Sequence, residues 1–87
     1  MFLILVYDVG EKRVGKVLKI CRKYLNWVQN SVLEGEISDA GLKKLKIELK
    51  RAINEEEDSV IFYLLRTTRY SERQTIGIKK GGDEMFI

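Results

Sequence analysis

Phe2-Leu3-Ile4-Leu5-Val6-Tyr7-Asp8-Val9-Gly10 opens the chain with a short apolar run, one acid and a glycine. The run is rich in aromatic and β-branched residues and is closed by Gly10, so it reads as a buried strand. A lone carboxylate, Asp8, then falls at the carboxyl end of that strand, where sheets commonly expose their sites. After Gly10 the hydrophobic period changes. Val14, Val17, Leu18, Cys21 and Leu25 follow helical spacing and form one apolar stripe, which predicts an amphipathic helix packed on the sheet. Lys12, Lys16, Lys19 and Lys23 repeat the same spacing on the opposite side as a solvent-facing basic stripe. Gly15 within this helix costs up to about 1 kcal/mol relative to alanine.

Asn26 to Ile37 reads as two short antiparallel strands with Trp27, Val28, Val32, Leu33 and Ile37 as apolar positions. A turn at Asn30-Ser31 and a turn at Glu34-Gly35 are competing registers. Ser38 suits a helix N-cap, with Asp39 favourably placed for the helix dipole. Leu42, Leu45, Leu49, Ala52 and Ile53 form a second apolar stripe ending near Asn54. The acidic run Glu55-Glu56-Glu57-Asp58 reads as a solvated loop, and Ser59 to Leu65 is a second continuous apolar strand. Two such strands imply the centre of a sheet. The order β, α, β, β, α, β predicts an α+β, ferredoxin-like fold with an antiparallel sheet and two helices on one face.

Residues 1–66 complete that core. Residues 67–87 are left as a C-terminal tail: a polar connector, a short extra strand at Ile76-Gly77-Ile78, a Lys80-Gly81-Gly82-Asp83 turn and a terminal Met85-Phe86-Ile87. The terminal apolar residues need a covering surface, so the tail is expected to pair across a twofold dimer interface. At 87 residues the chain is one domain. A chain of this size buries only roughly 60 to 65% of its unfolded surface, which makes added burial through dimerisation attractive.

Composition narrows the chemistry. There is no histidine, and the single cysteine, Cys21, lies on the apolar stripe and reads as a core residue. Hydrolytic chemistry would therefore use carboxylates, a metal, tyrosine or lysine. No segment approaches the roughly 20 apolar residues that cross a bilayer, and no signal peptide is evident, so a cytoplasmic protein is expected. The net charge of +3 is segregated along the chain. Lys12, Arg13, Lys16, Lys19, Arg22 and Lys23 occur with no acid among them, a candidate polyanion surface. The middle of the chain is acidic, and the last third is basic again through Arg66, Arg69, Arg73, Lys79 and Lys80.

Taken in order, the strand ending Val6-Tyr7-Asp8-Val9, the basic first helix, the segment Val28 to Glu36, Asp58-Ser59-Val60 and Ile76-Gly77 resemble the small CRISPR-associated adaptation proteins of the Cas-two family, partners of the spacer integrase. The resemblance spans nearly the whole chain. It implies a ferredoxin-like homodimer in which the two Asp8 residues face each other and bind a metal, and in which Arg13 anchors phosphate. The family frequently carries an aromatic residue where this chain has Leu33. Magnesium, or manganese in its place, suits such a site, because Mg²⁺ keeps several waters and is commonly held by one or two carboxylates. Two bare carboxylates brought close would repel, so metal binding there is expected to depend on pH.

Three functions follow from these readings. The first is a metal-dependent endonuclease cutting RNA or DNA phosphodiesters through paired Asp8, with Lys12, Arg13, Lys16, Lys19 and Lys23 holding nucleic acid. The second is a dimeric scaffold that bridges integrase subunits and holds a duplex during spacer capture. The third is a stand-alone RNA-binding or toxin-type ribonuclease module, since this fold hosts many such roles. Trp27 reads as partly buried packing, with base stacking as its alternative.

Overall fold

The computed structural model describes residues 1–67 and 70–78. Its elements run β1 (Phe2–Asp8), α1 (Glu11–Arg22), β2 (Asn26–Gln29), β3 (Val32–Glu36), α2 (Asp39–Ala52), β4 (Ser59–Thr67) and β5 (Tyr70–Gly77). They form one five-stranded sheet in the order β2-β3-β1-β4-β5 with every neighbouring pair antiparallel. This is the ferredoxin-like α+β arrangement with an added strand at one edge. The two apolar runs, β1 and β4, lie side by side near the middle of the sheet.

Although the runs at residues 2–7 and 60–65 are apolar throughout, their burial alternates. Leu3, Leu5 and Tyr7 of β1 and Val60, Phe62 and Leu64 of β4 form one cluster with Val17 and Cys21 of α1 and Leu42, Leu45 and Leu49 of α2. Phe2, Ile4, Val6, Ile61 and Leu65 face the other way and are only half-buried. The helices therefore cover one face of the sheet, and among the described residues no layer covers its apolar second face.

Local choices follow the residues. Asn30 takes φ 39°, the left-handed conformation that asparagine tolerates better than most side chains, and this selects the Asn30-Ser31 turn over Glu34-Gly35. Gly35 instead lies inside β3 opposite Leu3. Ser38 caps α2, its hydroxyl accepting from the Gly41 amide at 3.0 Å. No helix among the described residues is long and apolar enough to cross a membrane.

The tail differs from its expected form. The segment read as a polar connector with a short strand at Ile76-Gly77-Ile78 is the eight-residue strand β5, paired along β4 of its own chain from Ser59↔Gly77 to Thr67↔Tyr70. An edge strand is wetted along one side and on much of both faces, so Glu72, Arg73, Gln74 and Thr75 satisfy it without an apolar alternation. Gln74 also accepts from the Lys46 ammonium of α2, which sits 5.3 Å over the Phe62 ring. Arg69, Lys79, Lys80, the turn at residues 80–83 and Met85-Phe86-Ile87 lie outside the described residues.

Candidate metal site and nucleic-acid interface

Asp8 ends β1 as an exposed residue, directly opposite Ser59 of β4 and on the same side of the sheet as Phe2, Ile4 and Val6. The loop that follows it is pinned from an unexpected quarter. Asp58, 0% exposed, accepts from the Gly10 amide at 2.9 Å, the Asn54 amide at 2.8 Å, Arg13 Nε at 2.5 Å and Arg13 Nη2 at 2.9 Å. One carboxylate thus ties the β1–α1 loop, two residues past Asp8, to the loop between α2 and β4. Glycine at position 10 is what lets this close, because a Cβ there would collide with the Arg13 guanidinium.

The Arg13 hydrogen bonds hold the Asp58 carboxyl well below the usual carboxylate range; the Asn54 and Gly10 amides assist, and burial opposes them. Arg13 is correspondingly pushed up by Asp58. With its fork occupied and only 26% of its side chain exposed, Arg13 is a structural clamp in this fold. The phosphate-anchoring role that resemblance implies for Arg13 has the remaining Nη1 to work with. The expectation that the whole acidic run is solvated is corrected at Asp58, which is buried. Its position as the last acid before an apolar strand was the available signal, but the partner is 45 residues away in sequence.

The basic stripe forms as read. Lys12, Lys16 and Lys19 are exposed along α1 and make no ion pair among the described residues. Lys23 is different: it pairs with Glu48 of α2, which also accepts from the Tyr24 hydroxyl. These two donors push the Glu48 carboxyl down, and Glu48 in turn pushes the Tyr24 phenol up. Lys23 therefore offers a phosphate less than its three helical neighbours do. A shallow groove of about 450 Å³ runs beside the stripe, lined by Gly15, Leu18, Lys19, Arg22 and Lys23.

Trp27 is 49% exposed, more open than the partly buried packing expected of it. Its indole N–H donates to the Asn30 carbonyl at 2.9 Å, and the Arg22 guanidinium stands 5.7 Å from its ring centre. Leu33 is fully buried, so that position presents no stacking surface. Cys21 is buried as read, and burial pushes its thiol up to about 12, which removes it as a nucleophile. Among the described residues no three His, Cys, Asp or Glu side chains converge on a possible metal position.

Comparison with known proteins agrees with this architecture. The family model described as CRISPR associated protein Cas2 matches residues 1–73. A protein of Dictyoglomus turgidum named CRISPR-associated endoribonuclease Cas2 is 59% identical over 87 residues, covering all of both chains. Its namesake in Thermotoga maritima is 57% identical over 83 residues, or 95% of each chain. Among solved structures, a crystal structure of Cas2 superposes with a TM-score of 0.74 at 42% identity, covering 100% of this chain and 98% of that one. Streptococcus pyogenes Cas2 at pH 6.5 gives a TM-score of 0.70 at 38% identity over 75% of this chain and 86% of its own.

Proposed function

The chain belongs to the Cas2 family of CRISPR-associated proteins, and from that premise we propose that it is a nucleic-acid-binding homodimer with metal-dependent endonuclease activity through paired Asp8. In spacer acquisition the same dimer bridges integrase subunits. The observation that carries this reading is the placement of Asp8 at the exposed end of an apolar sheet face that no other described residue covers. The pairs Phe2↔Leu65, Ile4↔Tyr63 and Val6↔Ile61 line that face in register. A second copy stacked there about a twofold axis near the end of β1 covers these side chains and brings Asp8 to its twin.

The donor chemistry fits magnesium or manganese. Both favour oxygen ligands, and Mg²⁺ needs only one or two carboxylates with water in its remaining positions. Once bound, such a cation would polarise a phosphodiester oxygen and make hydroxide accessible at neutral pH, a route that needs no histidine. The other roles fall to the chain itself. Asp8 holds the site, the Asp58–Arg13 clamp fixes the loop behind it, and Lys12, Lys16 and Lys19 supply phosphate contacts along α1, with Lys23 contributing less. The endoribonuclease names of the Dictyoglomus and Thermotoga relatives favour RNA as the substrate to try first.

The test is cleavage of defined RNA, single-stranded DNA and duplex DNA with Mg²⁺, by the chain and by Asp8→Ala, beside a sedimentation measurement of subunit number. Loss of cleavage in Asp8→Ala with the dimer intact supports the reading, and equal cleavage by both proteins removes it. The lysine stripe does not depend on Asp8, which favours scaffolding as a separable role. Spacer acquisition that survives Asp8→Ala but fails on charge reversal at Lys16 and Lys19 would make scaffolding the working function.

A further inference from the structure

Among the described residues one buried side-chain polar atom lacks a hydrogen-bond partner, the hydroxyl oxygen of Ser59. Ser59 opens β4, is 2% exposed, and stands directly opposite Asp8 in the β1–β4 register. Opposed residues of an antiparallel pair carry their side chains on one face, with Cβ atoms roughly 4.5–5.5 Å apart. The hydroxyl is therefore a cross-strand neighbour of the Asp8 carboxylate.

On its other flank Ser59 faces Gly77 of β5, which has no side chain to offer. That glycine is required: it takes φ 91°, and a Cβ there would overlap the Asp58 carbonyl oxygen. Asp8 is thus the one directly opposed residue whose side chain can accept a hydrogen bond from Ser59. The backbone at this point is held firmly, since the Asp58 carboxylate takes four donors and the Asp58 carbonyl accepts from the Ile78 amide at 3.0 Å. A buried hydroxyl with no partner is destabilising relative to alanine. A role in the loaded site gives it a partner.

We propose that Ser59 is a positioning residue of the Asp8 site, its hydroxyl donating to the Asp8 carboxylate when that carboxylate holds a divalent cation. The inference rests on the metal-holding reading of Asp8. Its physical basis is that the terminal torsion of an aspartate is broad and roughly two-fold, so the carboxylate needs an outside donor to fix which oxygen faces the cation. The rigid start of β4 supplies that donor.

Calorimetric titration of Mn²⁺ into the full chain, into Asp8→Ala and into Ser59→Ala and Ser59→Cys tests it, with the melting temperature of each protein recorded. Cysteine keeps the volume but is a weak donor. Both Ser59 variants are expected to bind Mn²⁺ about tenfold more weakly, the lower end of what loss of an outer hydrogen bond to a metal ligand costs. Their melting temperatures stay level or rise, because no formed hydrogen bond is lost. Wild-type affinity in both Ser59 variants, while Asp8→Ala loses the metal, overturns the role of Ser59 and leaves that of Asp8 standing. Weaker binding in Ser59→Ala alone, with Ser59→Cys normal, assigns the effect to volume and also overturns it. Equal binding by the wild type and Asp8→Ala sinks the Asp8 reading itself.

Discussion

Asp58→Asn perturbs the clamp behind the strand end while nearly preserving its shape. Four donors converge on the buried carboxylate. An asparagine brings one acceptor oxygen and turns an NH₂ group against the remaining donors. Whichever oxygen remains, Arg13 loses one of its two bonds and one of the Gly10 and Asn54 amides loses its acceptor. A buried group stripped of its partner costs about 1–3 kcal/mol, and breaking a buried ion pair about 3–5 kcal/mol. Because the Arg13 side chain stays 26% exposed and can recover some hydration, the lower part of that range applies, about 3 kcal/mol. A domain of this size is stable by roughly 4–13 kcal/mol, and each kcal/mol moves its melting temperature by about 4–8 °C, so a drop of about 12–24 °C is expected.

The pH dependence supplies an independent arm. The Asp58 carboxyl is held below its ordinary value, chiefly by Arg13. The unfolded chain therefore binds that proton more tightly than the folded one. The stability it contributes is fully present above the unfolded value of about 4 and is lost as the pH falls below it. Calorimetric melts from pH 7 down to pH 3 should show the wild type losing stability steeply on the acid side and Asp58→Asn losing less. A variant melting within about 1 kcal/mol of wild type at pH 7, with a parallel acid limb, would refute the clamp.

Gly77→Ala forces a side chain into a left-handed position against the Asp58 carbonyl, and should destabilise by more than about 1 kcal/mol in urea unfolding. Lys16→Ala with Lys19→Ala should weaken duplex binding similarly for all sequences and reduce the slope of log affinity against log salt by about two, read by fluorescence anisotropy. Ile61→Glu places a charge in the half-buried row of the open sheet face. Sedimentation should show at least about a hundredfold weaker self-association, the effect of roughly 3 kcal/mol of unpaired buried charge. Cys21 should resist maleimide labelling in the folded chain and react fully in urea, since burial keeps its thiol protonated.

Periodicity made much of the fold legible. The apolar stripes of α1 and α2, the cap at Ser38 and the two apolar strands each announce themselves within a dozen residues, because helix and strand spacing are local properties. The strand-end acid Asp8 and the lysine stripe were legible for the same reason. The exposure of Trp27 and the length of β5, read as a strand only at its Ile76-Gly77 end, were not. An exposed tryptophan on an edge hairpin carries the same letter as a core one, and an edge strand wet on both faces has no alternation to betray it. Asp58 was hidden by its company, three exposed glutamates, although its own partners lie in the β1–α1 loop and at the end of α2.

By itself the order of residues determined the elements, their succession and the lone acid at the end of β1. Side-chain spacing and turn chemistry act over a few positions and are written directly in the chain. Tertiary structure alone decided which acid stays exposed and which is locked to Arg13, which face of β1 lies under the helices, and that Ser59 stands beside Asp8. Those outcomes depend on which strands hydrogen-bond side by side. Pairing across tens of residues is settled by global packing, which no local pattern encodes.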